Sequence, residues 1–163
     1  YTMTATGTNM WGARDEYHMA WRKLTGDSIV RTHAAFLGAG VDPHRKLGWM
    51  IRTSLAPDAA SVNTAIHGDG LASLQYRKET GSALEELKFD NKAPDVIQLE
   101  RRGNTFLMSV ASFGEPYIVK QVSNITLGDS VYVGLYVCAH NKDVVEKAIF
   151  DNVRIVPPGW SCV

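Results

Sequence analysis

The sequence is poor in cysteine, carries no excess of either charge and has no long apolar run. Its two cysteines, Cys138 and Cys162, are too few for a disulfide framework and lack the spacing of a metal site. Lys plus Arg total 17, as do Asp plus Glu, and no basic block occurs, so we expect no nucleic-acid binding. No stretch reaches the roughly 18 apolar residues of a membrane helix, so we expect no membrane span. We expect Cys138 to be a buried thiol and Cys162 to be a thiol in the tail.

The motifs of common hydrolases and metalloenzymes are also missing from the sequence. The five histidines, at positions 18, 33, 44, 67 and 140, show no metal-ligand spacing. No serine lies in the Gly-x-Ser-x-Gly context of a nucleophile elbow. These patterns weigh against a metalloenzyme and against a serine hydrolase.

The sequence does contain apolar residues that alternate with a period of two, which is typical of half-buried β-strands. The clearest run places Val131, Val133, Leu135 and Val137 on one face and Tyr132, Gly134, Tyr136 and Cys138 on the other. Similar runs put the following residues on single strand faces: Tyr17, Met19 and Trp21; Val30, Ala34 and Phe36; Trp49 and Ile51; Val62, Thr64 and Ile66; Leu74 and Tyr76; Ile97 and Leu99; Phe106, Met108 and Val110. We predict an all-β, two-sheet antiparallel sandwich that forms a single domain over residues 1–163.

Three local features refine this prediction. Gly103 and Asn104 tolerate positive φ and predict a tight hairpin turn between Arg102 and Thr105. The apolar phase of the last run slips by one residue at Asp151 and Asn152, which predicts a β-bulge. Residues 82–87 contain good helix formers, but the all-β context favours a strand there.

Several stretches in chain order together carry a family resemblance. They are residues 9–11, 21–27, 48–52, 67–70, 74–77, 99–103, 132–135 and 150–153. The chain resembles the concanavalin A-like lectin and glucanase superfamily, in particular small bacterial jelly-roll domains grouped with regulation-of-enolase-like proteins and with exported Tol-type β-propeller proteins. The resemblance implies a jelly-roll fold, an extracellular or periplasmic location and possible attachment to other domains of a longer chain. It implies no agreed activity, since a fold does not assign one.

Glycosidases of this superfamily need two carboxylates across the scissile bond. Glu85 and Glu86 are adjacent, so their side chains point to opposite faces of a strand. Glu100 is followed by Arg101 and Arg102 rather than by a second acid. We therefore leave enzymatic activity open but lean against it.

A ligand-binding site is predicted on the strand faces opposite the core. Strand positions there carry the candidate ligand-binding residues Arg52, His67, Gln75, Arg77, Glu100 and Tyr136, with Trp11 on the rim. Arginine and amide groups bind sugar hydroxyls, and a tyrosine ring stacks on the apolar side of a pyranose. We expect Tyr136 to be the exposed stacking platform and Arg52 and Arg77 to be hydroxyl or uronate donors. An ordinary solvated sheet face is the alternative.

Calcium is a second site hypothesis, because jelly-roll sugar binders often hold a structural calcium ion through Asp and Asn oxygens. Asp27, Asp151 and Asn152 are the candidate ligands. The alternative is that these residues cap turns and bulges. No other cofactor is expected.

Three functions from different classes remain open. The favoured one is a non-catalytic carbohydrate-binding or accessory domain of an exported protein, with a saccharide or polysaccharide as partner. The second is a protein-interaction or scaffold domain of a larger exported protein. The third is a glycoside hydrolase.

Overall fold

A computed structural model describes residues 1–156 of the chain as twelve β-strands with no helix among them. The strands are β1 (Thr2–Ala5), β2 (His18–Thr25), β3 (Ser28–Leu37), β4 (Lys46–Arg52), β5 (Ser61–His67), β6 (Leu71–Arg77), β7 (Glu85–Lys92), β8 (Val96–Arg102), β9 (Thr105–Ala111), β10 (Ile118–Val122), β11 (Ser130–Cys138) and β12 (Glu146–Val156). The predicted tail thiol of Cys162 lies outside the described residues. Within residues 1–156, no helix is long and apolar enough to cross a membrane.

The strands form two antiparallel sheets of six strands each. The first sheet has the order β1-β12-β3-β8-β9-β10, and the second has the order β2-β11-β4-β5-β6-β7. Every paired strand runs antiparallel to its neighbour. The predicted all-β, two-sheet antiparallel sandwich is therefore confirmed.

The main core lies between the two sheets and is built from the alternating apolar positions. On β11, Val131, Val133, Leu135 and Val137 face this core, as the alternation predicts. The facing residues from the other strands include Val30, Trp49, Ile51, Val62, Leu74, Ile97, Leu99, Phe106, Met108, Val110 and Phe150. Because successive side chains of a strand point to opposite faces, every second side chain lies on this inner surface.

The predicted hairpin and bulge are both present. Arg102 pairs with Thr105 across a two-residue turn, and Gly103 adopts a φ of 56°, as the first central residue of a type II′ turn requires. The pairing of β12 with β3 shifts between Asp151 and Arg154, and Asn152 has a φ of 48°. Residues 82–84 precede a strand, β7, which begins at Glu85, so no helix forms there.

The covering segment, residues 6–17 between β1 and β2, lies across the outer face of the second sheet. Met10 of this segment is buried in a second apolar cluster with Met50, Tyr136 and Cys138. Its backbone is tied down at Asp15, whose N–H donates to the Pro57 carbonyl at 2.7 Å. The outer face of the second sheet is therefore partly interior, and Cys138 is a buried free thiol, as predicted.

We predict that Leu135→Ala lowers the free energy of unfolding by about 2–5 kcal/mol, because it removes buried atoms and leaves a cavity in the main core. Urea denaturation followed by circular dichroism measures this change. The control is Val119→Ala on the edge strand β10, where the side chain is exposed and the loss should stay below about 1 kcal/mol. A loss below about 1 kcal/mol for Leu135→Ala would contradict its place in the core.

Candidate functional site

The predicted ligand-binding residues fall into three separate places in the structure. Arg52, Arg77 and Tyr136 are buried beneath the covering segment. A second group, comprising Trp11, His67 and Gln75, lines a cleft in the same outer face of the second sheet. Glu100 lies on β8 in the other sheet. The structure thus brings together three of the seven predicted residues at one accessible place.

Arg77 is fixed by a buried ion pair with Asp15 of the covering segment. Its two terminal nitrogens donate to the two Asp15 carboxylate oxygens at 3.0 and 2.7 Å. Further bonds run to the carbonyls of Gly12, Ala59 and Ser82, so all three guanidinium nitrogens have partners. Bidentate pairing of this kind gives strong, directional hydrogen bonds. Arg77 therefore has a structural role in attaching the covering segment, and its predicted exposure as a sugar donor is wrong.

Arg52 joins the same ion-pair cluster. Its Nη2 lies 3.4 Å from Asp15 Oδ2, and the guanidinium also donates to the Tyr17 hydroxyl and to the Ala56 carbonyl. Burial raises the pKa of Tyr17 to about 12, and the Arg52 charge opposes this rise, so the Tyr17 phenol stays protonated. The predicted exposure of Arg52 is also wrong, because its partners enclose it.

Tyr136 is fully buried rather than exposed. Its hydroxyl donates to the Thr64 carbonyl at 2.8 Å and accepts from Asn63 Nδ2 at 3.2 Å. The ring packs edge-on against Tyr17 with 5.5 Å between ring centroids. Burial raises the pKa of Tyr136 well above its ordinary value. The prediction that Tyr136 is a stacking platform is therefore wrong, because the covering segment occupies the space above its ring.

Glu100 and the predicted calcium ligands are also placed differently from expectation. Glu100 accepts a bond from Arg102 Nε at 2.6 Å on the first sheet, so it does not share a face with Gln75. Asp27 precedes β3 and accepts from the N–H of Gly103 at 2.6 Å, which makes it the cap of the hairpin turn.

Asp151 pairs with His33 of β3. His33 lies six residues after Asp27, and six residues of extended strand span about 20 Å. Asn152 accepts from Arg154 Nε at 2.8 Å at the bulge. Because of that separation, Asp27 cannot share a calcium ion with Asp151 and Asn152, and the three-residue calcium site is wrong. Within residues 1–156, no group of three or more His, Cys, Asp or Glu side chains could hold a metal ion. A structural calcium ion stays a prediction.

The outer-face cleft is a surface cleft in which several polar side chains converge. It has a volume of about 270 Å³ and crosses β4, β5, β6 and β7. The covering segment supplies one wall, and the loops after β3 and β11 supply the other. The lining residues are Asn9, Trp11, His44, Lys46, His67, Leu71, Gln75, Glu86, Lys88 and His140.

Hydrogen bonds within the sheet fix the floor of the outer-face cleft. Gln75 Oε1 accepts from Asn63 Nδ2 at 3.3 Å, and Gln75 Nε2 donates to Glu86 Oε1 at 3.0 Å. His67 Nδ1 lies 3.0 Å from the Leu71 carbonyl, which accepts only, so the neutral ring carries its proton on Nδ1. Burial lowers the pKa of His67, which favours this neutral ring and leaves Nε2 as an acceptor.

The outer-face cleft contains one carboxylate and two ammonium groups. The pKa of Glu86 lies below its ordinary value. Burial alone would raise it, but the hydrogen bonds from Gln75 and Ser73 and the charge of Lys88 outweigh the effect of burial. Lys88 Nζ lies 3.6 Å from Glu86 Oε2. Lys46 is buried, and its Nζ donates to Asn9 Oδ1 at 3.0 Å. Burial lowers the pKa of Lys46 from its ordinary value.

Trp11 gives the outer-face cleft its exposed aromatic surface. The residue is 50% exposed, although Met10 beside it is completely buried. Two histidines lie on the opposite wall of the cleft, with 5.4 Å between the ring centroids of His44 and His140. An exposed indole above a floor of oriented polar groups can bind a ligand that has both an apolar face and hydroxyls.

Sequence reasoning missed Asn9, Leu71, Glu86, Lys88 and His140 as lining residues. Lys46 lies an even number of residues before Arg52 on β4 and therefore shares its outward face. Glu86 pairs directly with Gln75 across β6 and β7, but that register is not readable from one strand alone. His140 lies after the end of β11, in a loop that alternation does not describe.

Solved structures similar to this chain are jelly-roll β-sandwiches. A functionally unknown protein from Saccharomyces cerevisiae superimposes with a TM-score of 0.74 at 15% identity, over 98% of this chain and 88% of that one. The carbohydrate-binding module CBM66 from Bacillus subtilis gives 0.56 at 13% identity, over 94% of both chains. An alginate lyase from Klebsiella pneumoniae gives 0.56 at 12% identity, over 82% of this chain and 60% of the lyase.

No family model matches the chain, and no curated protein matches it in sequence. The neighbouring structures include carbohydrate-binding and carbohydrate-active proteins, and the chain shares their concanavalin A-like jelly-roll sandwich. The fold part of the predicted resemblance is therefore confirmed. Membership of the regulation-of-enolase-like group stays a prediction.

We predict that Asp15→Asn lowers the free energy of unfolding at pH 7 by about 3–5 kcal/mol, because it leaves two buried guanidinium groups without their carboxylate. Urea denaturation measures the change. Asp143→Asn is the control, since the Asp143 carboxylate is exposed and its ion pair with Lys142 contributes little. Equal stability of the two variants would show that Asp15 does not hold the covering segment in place.

Proposed function

We propose that the chain is a non-catalytic carbohydrate-binding or accessory domain that holds a saccharide in the outer-face cleft. The observation that carries this proposal is Trp11, a half-exposed indole over a floor of hydrogen-bonded polar side chains. The ligand site is therefore moved from Tyr136 and its arginine neighbours to Trp11, His67, Gln75 and Lys46.

The position of Trp11 favours a ligand with an apolar face. A tryptophan that served only to anchor the covering segment would be buried like Met10, which fills the second apolar cluster. Trp11 instead leaves half of its surface to solvent at the edge of a cleft. The apolar side of a pyranose ring stacks well on such an indole.

The floor of the outer-face cleft offers both kinds of hydrogen-bonding group to a sugar. His67 Nε2 is an acceptor, because Nδ1 is held by the Leu71 carbonyl. Lys46 has donors beyond the one that Asn9 uses. These groups are already held by hydrogen bonds within the protein, so little side-chain ordering is required when a ligand binds.

The comparisons support a sugar ligand in general terms. A carbohydrate-binding module, CBM66 from Bacillus subtilis, matches over 94% of both chains. Catalytic function has less support, since glycosidases of the two-carboxylate kind need a pair of acids across the substrate. The lining of the outer-face cleft contains one carboxylate, that of Glu86, which Gln75 and Lys88 already engage. We therefore favour binding over hydrolysis.

An exported protein with an extracellular or periplasmic location remains part of the proposal. It rests on the sequence resemblance to domains attached to exported proteins. Detection of the full-length protein in the periplasmic or culture fraction of its native host tests it, and recovery from the cytoplasm alone would overturn it.

We predict that Trp11→Ala weakens saccharide binding about tenfold, because it removes the stacking surface. A glycan array identifies a ligand, and calorimetric titration then compares the variants; a shallow cleft of this kind predicts a wild-type dissociation constant of about 10 µM to 1 mM. Trp21→Ala is the control, since Trp21 is 48% exposed on β2 of the same sheet but packs on Tyr132 and does not line the cleft.

Equal affinity of the Trp11→Ala variant and the wild-type protein would remove the outer-face cleft as the sugar site. Absence of binding to every glycan on the array would favour the protein-interaction function instead. Thermal unfolding of both tryptophan variants shows whether a loss of affinity comes from a loss of folded protein.

A further inference from the structure

Among the buried cationic side chains of the described residues, Lys46 has the fewest hydrogen-bond and ion-pair partners to compensate its charge. Arg45 pairs with Glu146 at 2.5 Å, and Arg77 and Arg52 share Asp15. Arg101 donates to three backbone carbonyls, those of Gly103, Gly128 and Asp129. Lys46 is 3% exposed, and one neutral acceptor, Asn9 Oδ1, is the hydrogen-bond partner that the structure gives its ammonium group.

The nearby carboxylates do not reach Lys46. Its Nζ forms no ion pair within 4.0 Å with any carboxylate of residues 1–156. Glu86 is engaged by Gln75 and Lys88, and Asp42 by His140 and by the N–H of His44. A buried charge is normally paired, because the loss of hydration is costly without a partner.

Lys46 is also placed to meet a ligand. It lines the outer-face cleft directly across the β4–β5 pair from His67. An ammonium group has three N–H donors, and Asn9 takes one of them, so two remain for groups that enter the cleft. Burial lowers the pKa of Lys46, and an incoming anion would stabilise the charged form.

We propose that the outer-face cleft selects a saccharide that carries a carboxylate, such as a uronate, and that Lys46 binds this carboxylate. The proposal rests on the proposed function, in which the same cleft holds a sugar on Trp11. A neutral hydroxyl would leave the Lys46 charge uncompensated, whereas a carboxylate accepts charge-assisted hydrogen bonds and neutralises it. The ammonium group keeps donors beyond the one that Asn9 uses, and these can bond to a carboxylate oxygen.

The experiment titrates the wild-type chain with tetrasaccharides of three kinds in a calorimeter. These are the uronates tetragalacturonate, tetramannuronate and tetraguluronate, the neutral cellotetraose and xylotetraose, and a sulfated carrageenan tetrasaccharide. We expect at least one uronate to bind about tenfold or more tighter than every neutral and sulfated probe, because charge-assisted hydrogen bonds are stronger than neutral ones. This advantage should shrink in high salt, which screens the ion pair.

Two variants test the role of Lys46. Lys46→Met keeps most of the side-chain volume and should remove the uronate advantage while weakening neutral binding less. Asn9→Asp places a carboxylate on the acceptor that already bonds to Lys46 Nζ at 3.0 Å, so it should neutralise the cation internally and also abolish the uronate advantage. Lys147→Met is the control, because Lys147 is exposed on β12 of the first sheet and does not line the cleft, so the uronate advantage should persist.

The outcomes separate this proposal from the proposed function. Neutral probes that bind in a Trp11-dependent way, with no advantage for any uronate, would overturn the role of Lys46 and leave the sugar site standing. Tighter binding of the sulfated probe than of the uronates, or a uronate advantage that survives in both Lys46→Met and Asn9→Asp, would also overturn it. If no probe binds, the proposed function fails together with the inference.

Discussion

The buried Asp15 carboxylate, shared by Arg77 and Arg52, is the interaction on which the outer face of the second sheet depends. It joins the covering segment to two strands of that sheet, β4 and β6. Once the segment is held there, Met10 completes an apolar cluster with Met50, Tyr136 and Cys138. The same attachment positions Asn9 and Trp11 at the wall of the outer-face cleft. A single carboxylate therefore links the charge balance of the buried arginines to the shape of the binding surface.

The strands, their inward faces, the hairpin and the bulge could be predicted from the sequence because each depends on neighbouring residues. Val131 to Val137 alternate on β11, and Gly103 supplies the positive φ of its turn. The phase slip at Asp151 and Asn152 marks the bulge in the same local way. These signals are confined to a few residues, so they need no knowledge of what packs from elsewhere in the chain.

The candidate site was predicted less well, because it depends on contacts between distant residues. Arg52, Arg77 and Tyr136 occupy outward strand positions, yet the segment around Asp15 covers them. Alternation also does not reveal which sheet a strand joins, which is why Glu100 was grouped with residues of the other sheet. His67 and Gln75 line the cleft where the covering segment leaves this face open, and Trp11 of that segment forms part of the cleft wall.

The outer-face cleft is assembled from a sheet floor and a wall of irregular backbone, and these two parts differ in how they can open. The floor strands β4, β5 and β6 are paired on both sides, β7 forms the sheet edge, and all four pack on the main core. The covering segment is held by the Asp15 ion pairs and a small number of hydrogen bonds. Segments of that kind open locally at a lower free energy than the whole domain unfolds. A ligand that touches Trp11 and the floor together would close this local opening, so amide hydrogen exchange in residues 6–17 would slow on binding while the sandwich itself stayed unchanged.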